Sequence, residues 1–382
     1  MRLCSPHCGL APESGSGGEV YEREVLKGLA RLGVESDILL ARGKRYPEGI
    51  DHWTIHPVRP AKGLRWWVTP FVWPRAIKRC WDRQPFDLLR AHSVRFAGPA
   101  ALIARRRYRL PVPVVTHHHH LDPSPLNRLI ERRVIEASDL VVTDSEFAKR
   151  QLVDELRVRT DHVRVVYCGV GPEVVKMGGR VPGETSEDSA ARWRYDVVRR
   201  RLIVSIGPLI ARKRPDFLLR AFAEVHREEP KAALVWIGKG PLLGAMKRLA
   251  RRLGVETAVR FPGYVPERDK LVLLRSAEVF AFPSILEGFP LAPLEAMACG
   301  VPIVACRAAS MAEMIQHGET GFLVGVDQRI TFAEAILTLL RGADLRWRMG
   351  RAAAERVAGH FRWEHTARGV LRAYHEALGD AR

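Results

Sequence analysis

The chain has no apolar run approaching the roughly 18 residues that a membrane-spanning helix needs. Its opening, MRLCSPHCGLAPESGSGG, has no long apolar core, so no secretory signal is expected. Cysteine is sparse, at six in 382 residues, too few and too scattered for a disulfide framework. A reducing compartment, and so the cytoplasm, is the expected location. Acidic residues are short as well: 43 Asp and Glu against 61 Lys and Arg leave a net charge of +18. Such a surplus suits nucleic acid, an anionic membrane face or phosphorylated small molecules. Neither a zinc-finger spacing nor an RNA-recognition signature is present, and the cations are spread along the chain rather than gathered in a tail. Nucleic acid is therefore disfavoured as a partner.

What the sequence does hold is apolar residues, 47% of the total, and a length that points to two domains. Short β-branched runs alternate with helical patterns. VPVVT (112–116) and DLVVTDS bracket one helical segment. A second series runs through RLIVSIG (201–207), ALVWIG (233–238), VRFPGYV, EVFAFPS (278–284) and PIVAC (302–306). In the helix expected after Pro215, the residues Phe217, Leu218, Ala221, Phe222 and Val225 share one face. This alternation means βαβ units and parallel sheets, hence an α/β chain of two doubly wound domains. The Gly-, Ser- and charge-rich stretch at about 171–195 reads as the linker between them. The expected domains are 1–185 and 196–362, with the closing helix at 363–382 assignable to either on pattern alone.

The most informative stretch is SILEGFPLAPLEAMACGVPIVA, residues 284–305. Glu287 falls just past the carboxyl end of a buried strand, the edge where open α/β sheets bind ligands. Gly288 permits close backbone approach. Pro293 is expected to start the next helix, with Glu295 in its first turn. Two carboxylates bordering one crevice suit vicinal hydroxyls, which offer paired donors. A metal is disfavoured, because no nearby His or Asp supplies further ligands. In SIGPLIARKRPDF (205–217), Arg212, Lys213 and Arg214 precede a helix N-terminus, an arrangement suited to a diphosphate. GKGPLLG (238–244), containing Gly240, misses the dinucleotide fingerprint by one residue. Gly15, Gly17 and Gly18 stand ahead of an amphipathic helix. VVTHHHHLDPS (114–124) carries four histidines, of which at most two can reach one ion from a strand. In the stretch 63–84, Trp66, Trp67, Trp73 and Trp81 lie among basic residues. After Pro74, a face of Ala76, Ile77, Cys80 and Trp81 opposes Arg75, Lys78, Arg79 and Arg83, and packing on its own domain is favoured over a membrane interface.

EGFPLAPLEAMACGVPIVA resembles the Glu-x7-Glu signature of the retaining glycosyltransferases of family 4. The resemblance extends from the Gly-Gly loop, through VVTDSEFAKRQL and VVYCGV, to RWEHTARGVLRAYHEAL. It implies the GT-B architecture: two Rossmann-like domains facing across a cleft, the last helix crossing back to the first domain. It further implies that Glu287 binds the donor sugar and Glu295 the ribose, with Gly288, Phe289, Pro290 and Leu291 beside them. Lys213 matches the family lysine, while Pro208 stands where an arginine is expected and Pro290 where a glycine is. Arg212 is the candidate to compensate. Gly240 and Val265 would lie near the base, and Gly17 and Gly18 near the donor phosphates. His118 is the best match to the family histidine facing the sugar, with His117, His119 and His120 left open, and His92 aligns with another. The expected reaction moves a hexosyl unit from a GDP- or UDP-linked sugar to a hydroxyl of a glycan, lipid-linked or small-molecule acceptor. Glu287, Lys213 and His118 would be its catalytic residues, with no metal and no cofactor beyond the nucleotide sugar. The basic, Trp-rich helix keeps peripheral contact with an anionic membrane in play. A glycoside hydrolase, a nucleotide-sugar epimerase and a non-catalytic sugar- or nucleic-acid-binding module are the rival readings.

Overall fold

The runs VVTHH, LVVT, RLIVSI, AALVWI, VFAF and IVAC are parallel strands in the computed structural model. Residues 1–7, 9–59, 68–119, 121, 124–176, 190 and 192–380 are described. Two units divide the chain: Met1–Cys168 with Trp363–Arg382, and Gly169–Arg362.

The first unit holds β1 (Arg2–His7), β2 (Glu35–Ala41), β3 (Trp53–Val58), β4 (Leu88–Ala91), β5 (Val114–His118), β6 (Leu140–Thr143) and β7 (Val163–Val165). They form one sheet in the order β3-β2-β1-β4-β5-β6-β7. All its ladders are parallel, and the strand order reverses between β1 and β4, as in doubly wound folds. Buried strands need apolar side chains on both faces, and Leu3, Leu39, Leu88, Leu89, Val114, Val115 and Val141 supply them. The helix Thr69–Arg83 begins five residues before Pro74, which the sequence pattern had taken as its start. Pro74 sits inside it, forgoing one backbone hydrogen bond, while Trp73, Ala76, Ile77 and Cys80 are buried against the sheet's core. Trp66 and Trp67 lie outside the described residues.

The second unit holds β8 (Arg201–Ile206), β9 (Ala232–Ile237), β10 (Val259–Gly263), β11 (Val279–Phe282), β12 (Ile303–Cys306) and β13 (Gly321–Val324), in the order β10-β9-β8-β11-β12-β13. Its reversal point lies between β8 and β11. Helix Pro215–Glu228 buries Phe217, Leu218, Ala221, Phe222 and Val225, the face expected from their spacing. Residues 169–176, which a boundary at 185 assigns to the first domain, pack in this unit instead. Val170 bridges Arg362, and the short helix Pro172–Val175 lies against the helices Leu291–Ala298 and Ala343–His360. No helix among the described residues is long and apolar enough to cross a membrane.

The closing helix, Trp363–Ala377, packs in the first unit along helix Gly17–Arg31. Gly28 makes this approach possible, because a Cβ there would lie 2.5 Å from the Ala367 Cβ. Thr366 Oγ1 ties the helix further by donating to the Tyr167 carbonyl at 2.9 Å. Gly28→Val should therefore overpack the pair and lower stability by about 1–3 kcal/mol, read as a shift in urea midpoint. An unchanged midpoint would mean the closing helix does not dock through Gly28.

Candidate active site

Four loops at the carboxyl edge of the second sheet are stitched together by their backbones. Gly207 N–H donates to Ile237 O at 2.9 Å, Leu209 N–H to Lys239 O at 3.0 Å, Gly238 N–H to Gly263 O at 2.8 Å, and Ile285 N–H to Arg212 O at 3.2 Å. This closeness excludes side chains at two positions. A Cβ on Gly238, where φ is +144°, would meet Gly207 O at 2.1 Å, and one on Gly240 would meet Leu209 O at 2.4 Å. The first two glycines of GKGPLLG thus serve backbone-to-backbone approach beside the strand-order reversal. Val265 is buried just beyond β10.

Into this edge the loop after β8 brings Arg212 and Lys213, and the loop after β11 brings Ser284 and Glu287. Glu287 Oε1 accepts from Lys213 Nζ at 2.6 Å, Arg212 Nη1 at 2.7 Å and Ser284 Oγ at 2.5 Å. Its other oxygen, Oε2, has no protein donor among the described residues, and it is not sealed off from solvent. Burial pushes the Glu287 carboxyl up, but Lys213 and Arg212 outweigh it and hold the group below its ordinary value. Burial likewise lowers Lys213, against the opposing pull of Glu287. The Lys213 ammonium also lies 4.7 Å from the centre of the Phe282 ring. Arg212 Nη1 is shared with the Leu286 carbonyl at 2.8 Å.

Glu295 does not lie in the first turn of its helix. The helix runs Leu291–Ala298 with Pro290 as its N-cap, so Pro293 is its third residue and Glu295 its fifth. Proline is tolerated there because the first-turn N–H groups have no intrahelical partner. Glu295 pairs with Lys270 at 2.9 Å, and Lys270 also holds Glu267 at 2.8 Å. Burial, abetted by Glu267, raises the Glu295 carboxyl in spite of Lys270. Gly288 and Phe289 are buried between the two glutamates, and the Phe289 ring centre lies 5.4 Å from that of Phe361.

In the first unit, Gly17 and Gly18 open helix Gly17–Arg31 behind Ser16. A Cβ on Gly18 would lie 3.8 Å from His92 Nε2, so His92 faces the glycine turn. His92 Nδ1 is 2.7 Å from Glu22 Oε1 and 3.5 Å from His119 Nε2, and His119 Nδ1 is 2.8 Å from Asp144. His117 lies between the Tyr21 hydroxyl at 3.1 Å and the Tyr374 hydroxyl at 2.9 Å. His117 and His119 are therefore on the side of the glycine turn, and His118 is buried on the alternate face of its strand. His120 lies outside the described residues.

Four partners escaped the sequence reading: Ser284, Lys270, Arg90 and Glu22. Arg90 forks both of its terminal nitrogens onto Glu22, and its Nε donates to Tyr374 at 2.8 Å. A signal for this pair existed. Glu22 occupies the apolar face of its helix with Val25, Leu26 and Leu29, and Arg90 interrupts the buried run LLRA.

Residues 191–356 match the family model described as glycosyl transferases group 1, and residues 15–174 the one described as glycosyltransferase family 4. The D-inositol 3-phosphate glycosyltransferase of Kribbella flavida is 32% identical over 96% of this chain and 92% of its own length. That of Frankia alni is 30% identical over 97% of each. Among solved structures, Anabaena HepE in complex with UDP-glucose superposes with a TM-score of 0.79 at 19% identity, covering 97% of this chain and 98% of HepE. Sucrose-phosphate synthase from Thermosynechococcus elongatus gives 0.79 at 20% identity with both chains fully covered. The structural likenesses show the fold, two parallel-sheet α/β domains of the glycosyltransferase kind expected from the sequence.

Glu287 titrates below its ordinary 4.5, so its share of stability is complete above that value and lost as the pH falls through the lower folded-state value. Between about pH 6 and pH 3 the melting temperature of the wild type should fall more steeply than that of Glu287→Gln. Parallel curves would mean that Lys213 and Arg212 do not hold Glu287 as an ion.

Proposed function

This chain belongs to the family 4 glycosyltransferases, and we propose that within the family it moves a hexosyl unit from a nucleotide diphosphate sugar to an acceptor hydroxyl with retention at the anomeric carbon. The observation that carries this reading is the division of labour on Glu287. Three donors hold Oε1, which fixes the carboxylate, and Oε2 is left to accept hydrogen bonds from sugar hydroxyls. A carboxylate held this way, and below its ordinary pKa, is a poor nucleophile and a good orienting group.

Charge develops on the departing diphosphate, and the cations poised to meet it are Arg212 and Lys213. In this reading no divalent metal is needed, since these two side chains supply the positive charge. Glu295, steadied by Lys270, would accept the two ribose hydroxyls. Gly240 and Val265 would lie near the base. Gly17 and Gly18 would present the N-terminus of their helix to the phosphates. In the role first given to His118 we favour His119, which is on the glycine-turn side and is oriented by Asp144.

The donor we favour is UDP-linked, supported by the fold shared with HepE, which was solved with UDP-glucose. The acceptor we favour is a small phosphorylated polyol, supported by relatives named for D-inositol 3-phosphate. The reaction would run in the cytoplasm.

A thermal-shift comparison of UDP-glucose, UDP-N-acetylglucosamine, GDP-mannose and ADP-glucose tests the donor. One nucleotide class should stabilise the fold, by about 2.7 kcal/mol at a hundredfold excess over Kd, and Glu295→Ala should lose the shift. No shift with any donor at millimolar concentration would overturn the reading. Arg212→Ala should lower kcat/KM by about 100-fold, the usual loss on removing one preorganised group that meets developing charge. His119→Ala should depress kcat more than His118→Ala, measured by nucleotide release. The reverse order would return the role to His118.

A further inference from the structure

The helix Thr69–Arg83 turns its basic side away from the core, and that side is not a uniformly solvated face. Arg75 and Arg79, one turn apart, line a cavity of about 470 Å³ in the first unit together with Arg42 and Arg59. Arg42 is the first residue after β2 and Arg59 the first after β3, so the cavity opens at the carboxyl edge of the sheet. Phe71, 76% exposed, and Val72 form its apolar wall.

The charge around this cavity is uncompensated. No carboxylate lines it, and none of the four arginines has an ion-pair partner among the described residues. Some surface arginines elsewhere are paired, Arg201 with Glu229 and Glu278, Arg164 with Glu376 and Arg132 with Glu136, but among the described residues none of those lines a cavity with three others. Four like charges around one hollow repel one another unless an anion sits among them. Guanidinium forks match phosphate oxygens two at a time, and the exposed phenyl ring needs an apolar or planar group to cover it.

We infer that this cavity binds a phosphate-bearing ligand through Arg42, Arg59, Arg75 and Arg79, at residues separate from those proposed to hold the donor. Two sources carry that chemistry: the headgroup of an anionic phospholipid and a soluble phosphate ester. Phe71 distinguishes them, because it would enter the acyl boundary of a membrane but add little to a small ion.

The full-length protein is tested for co-sedimentation with phosphatidylcholine vesicles, with and without phosphatidylglycerol, and, with excess UDP occupying the proposed donor site, for pyrophosphate binding by calorimetry. The wild type should bind at least one anionic probe. Arg75→Gln/Arg79→Gln should weaken that binding about 25-fold, from two cations at about fivefold each. Arg212→Ala should leave vesicle binding intact, and excess UDP should not displace pyrophosphate from the arginine cavity, which separates this site from the donor site. Vesicle binding that also weakens in Phe71→Ala identifies the lipid source, and pyrophosphate binding indifferent to Phe71→Ala identifies the soluble one. Donor-induced stabilisation serves as the folding control, and Arg42→Gln/Arg59→Gln repeats the test from the strand ends should the helix variant misfold. Binding of neither probe by the wild type, or full binding by both double variants, overturns the proposal.

Discussion

A carboxylate removed from water costs several kcal/mol unless charged donors replace the water it loses, and one such group in each unit organises what surrounds it. In the second unit it is Glu287, in the first Glu22, and each is held below its ordinary pKa by the cations around it although burial pushes the other way. Glu22 takes the Arg90 fork across both oxygens, His92 on Oε1 and His7 on Oε2. Glu287 gathers Lys213, Arg212 and Ser284 on one oxygen alone. Loop positions in both units follow from these requirements. The turn after β8 must bring two cations to the end of β11, and β4 must bring a guanidinium under the first helix.

The contrast between the two carboxylates separates structure from chemistry. With both oxygens occupied, Glu22 has little capacity for a ligand, and its network instead fixes its surroundings. Through His92 it sets the wall of the glycine turn, and through Arg90 and Tyr374 it anchors the closing helix. Glu287 is equally immobile but keeps Oε2 open. A rigid group with one unspent acceptor orients a substrate hydroxyl without reorganising, which is the condition for stabilising a transition state rather than merely binding.

Much of this was legible in the sequence, for reasons that can be named. Parallel strands announce themselves as short apolar runs between helical periods, and RLIVSI, AALVWI and VFAF are such runs. The Glu287–Glu295 spacing was visible because both residues flank one strand–helix junction, a local feature. What was not legible is what depends on distant chain. Glu22 and Arg90 are 68 residues apart, and Lys270 and Glu295 are 25 apart. The sequence can mark Glu22 and Arg90 as charges in apolar settings, but it does not say that they are partners until the fold brings them together. The histidine assignment fell between the two cases. Four consecutive histidines declare a strand end, but which side of the strand faces the glycine turn is set by Tyr21 and Asp144, from other elements.

Proline carries the remaining step. Where the family has a glycine this chain has Pro290, and the helix that follows carries a second proline at its third residue, Pro293. A helix N-terminus ordinarily offers four unpartnered N–H donors, from the N-cap and the first three helical residues; here Pro290 and Pro293 remove two of them. Pro208 likewise stands where the family has an arginine. Both departures reduce what the backbone and the first loop can offer to negative charge. On the proposed reading the residues left to meet it are Arg212 and Lys213, and Glu287 already holds both. A diphosphate arriving there would compete with Glu287 for the same two cations, and Ser284 would remain to steady Oε1 as they turn. On the proposed reading, donor affinity and sugar orientation would thus be coupled through one shared ion cluster, and a change at Arg212 would register at both the phosphates and the sugar.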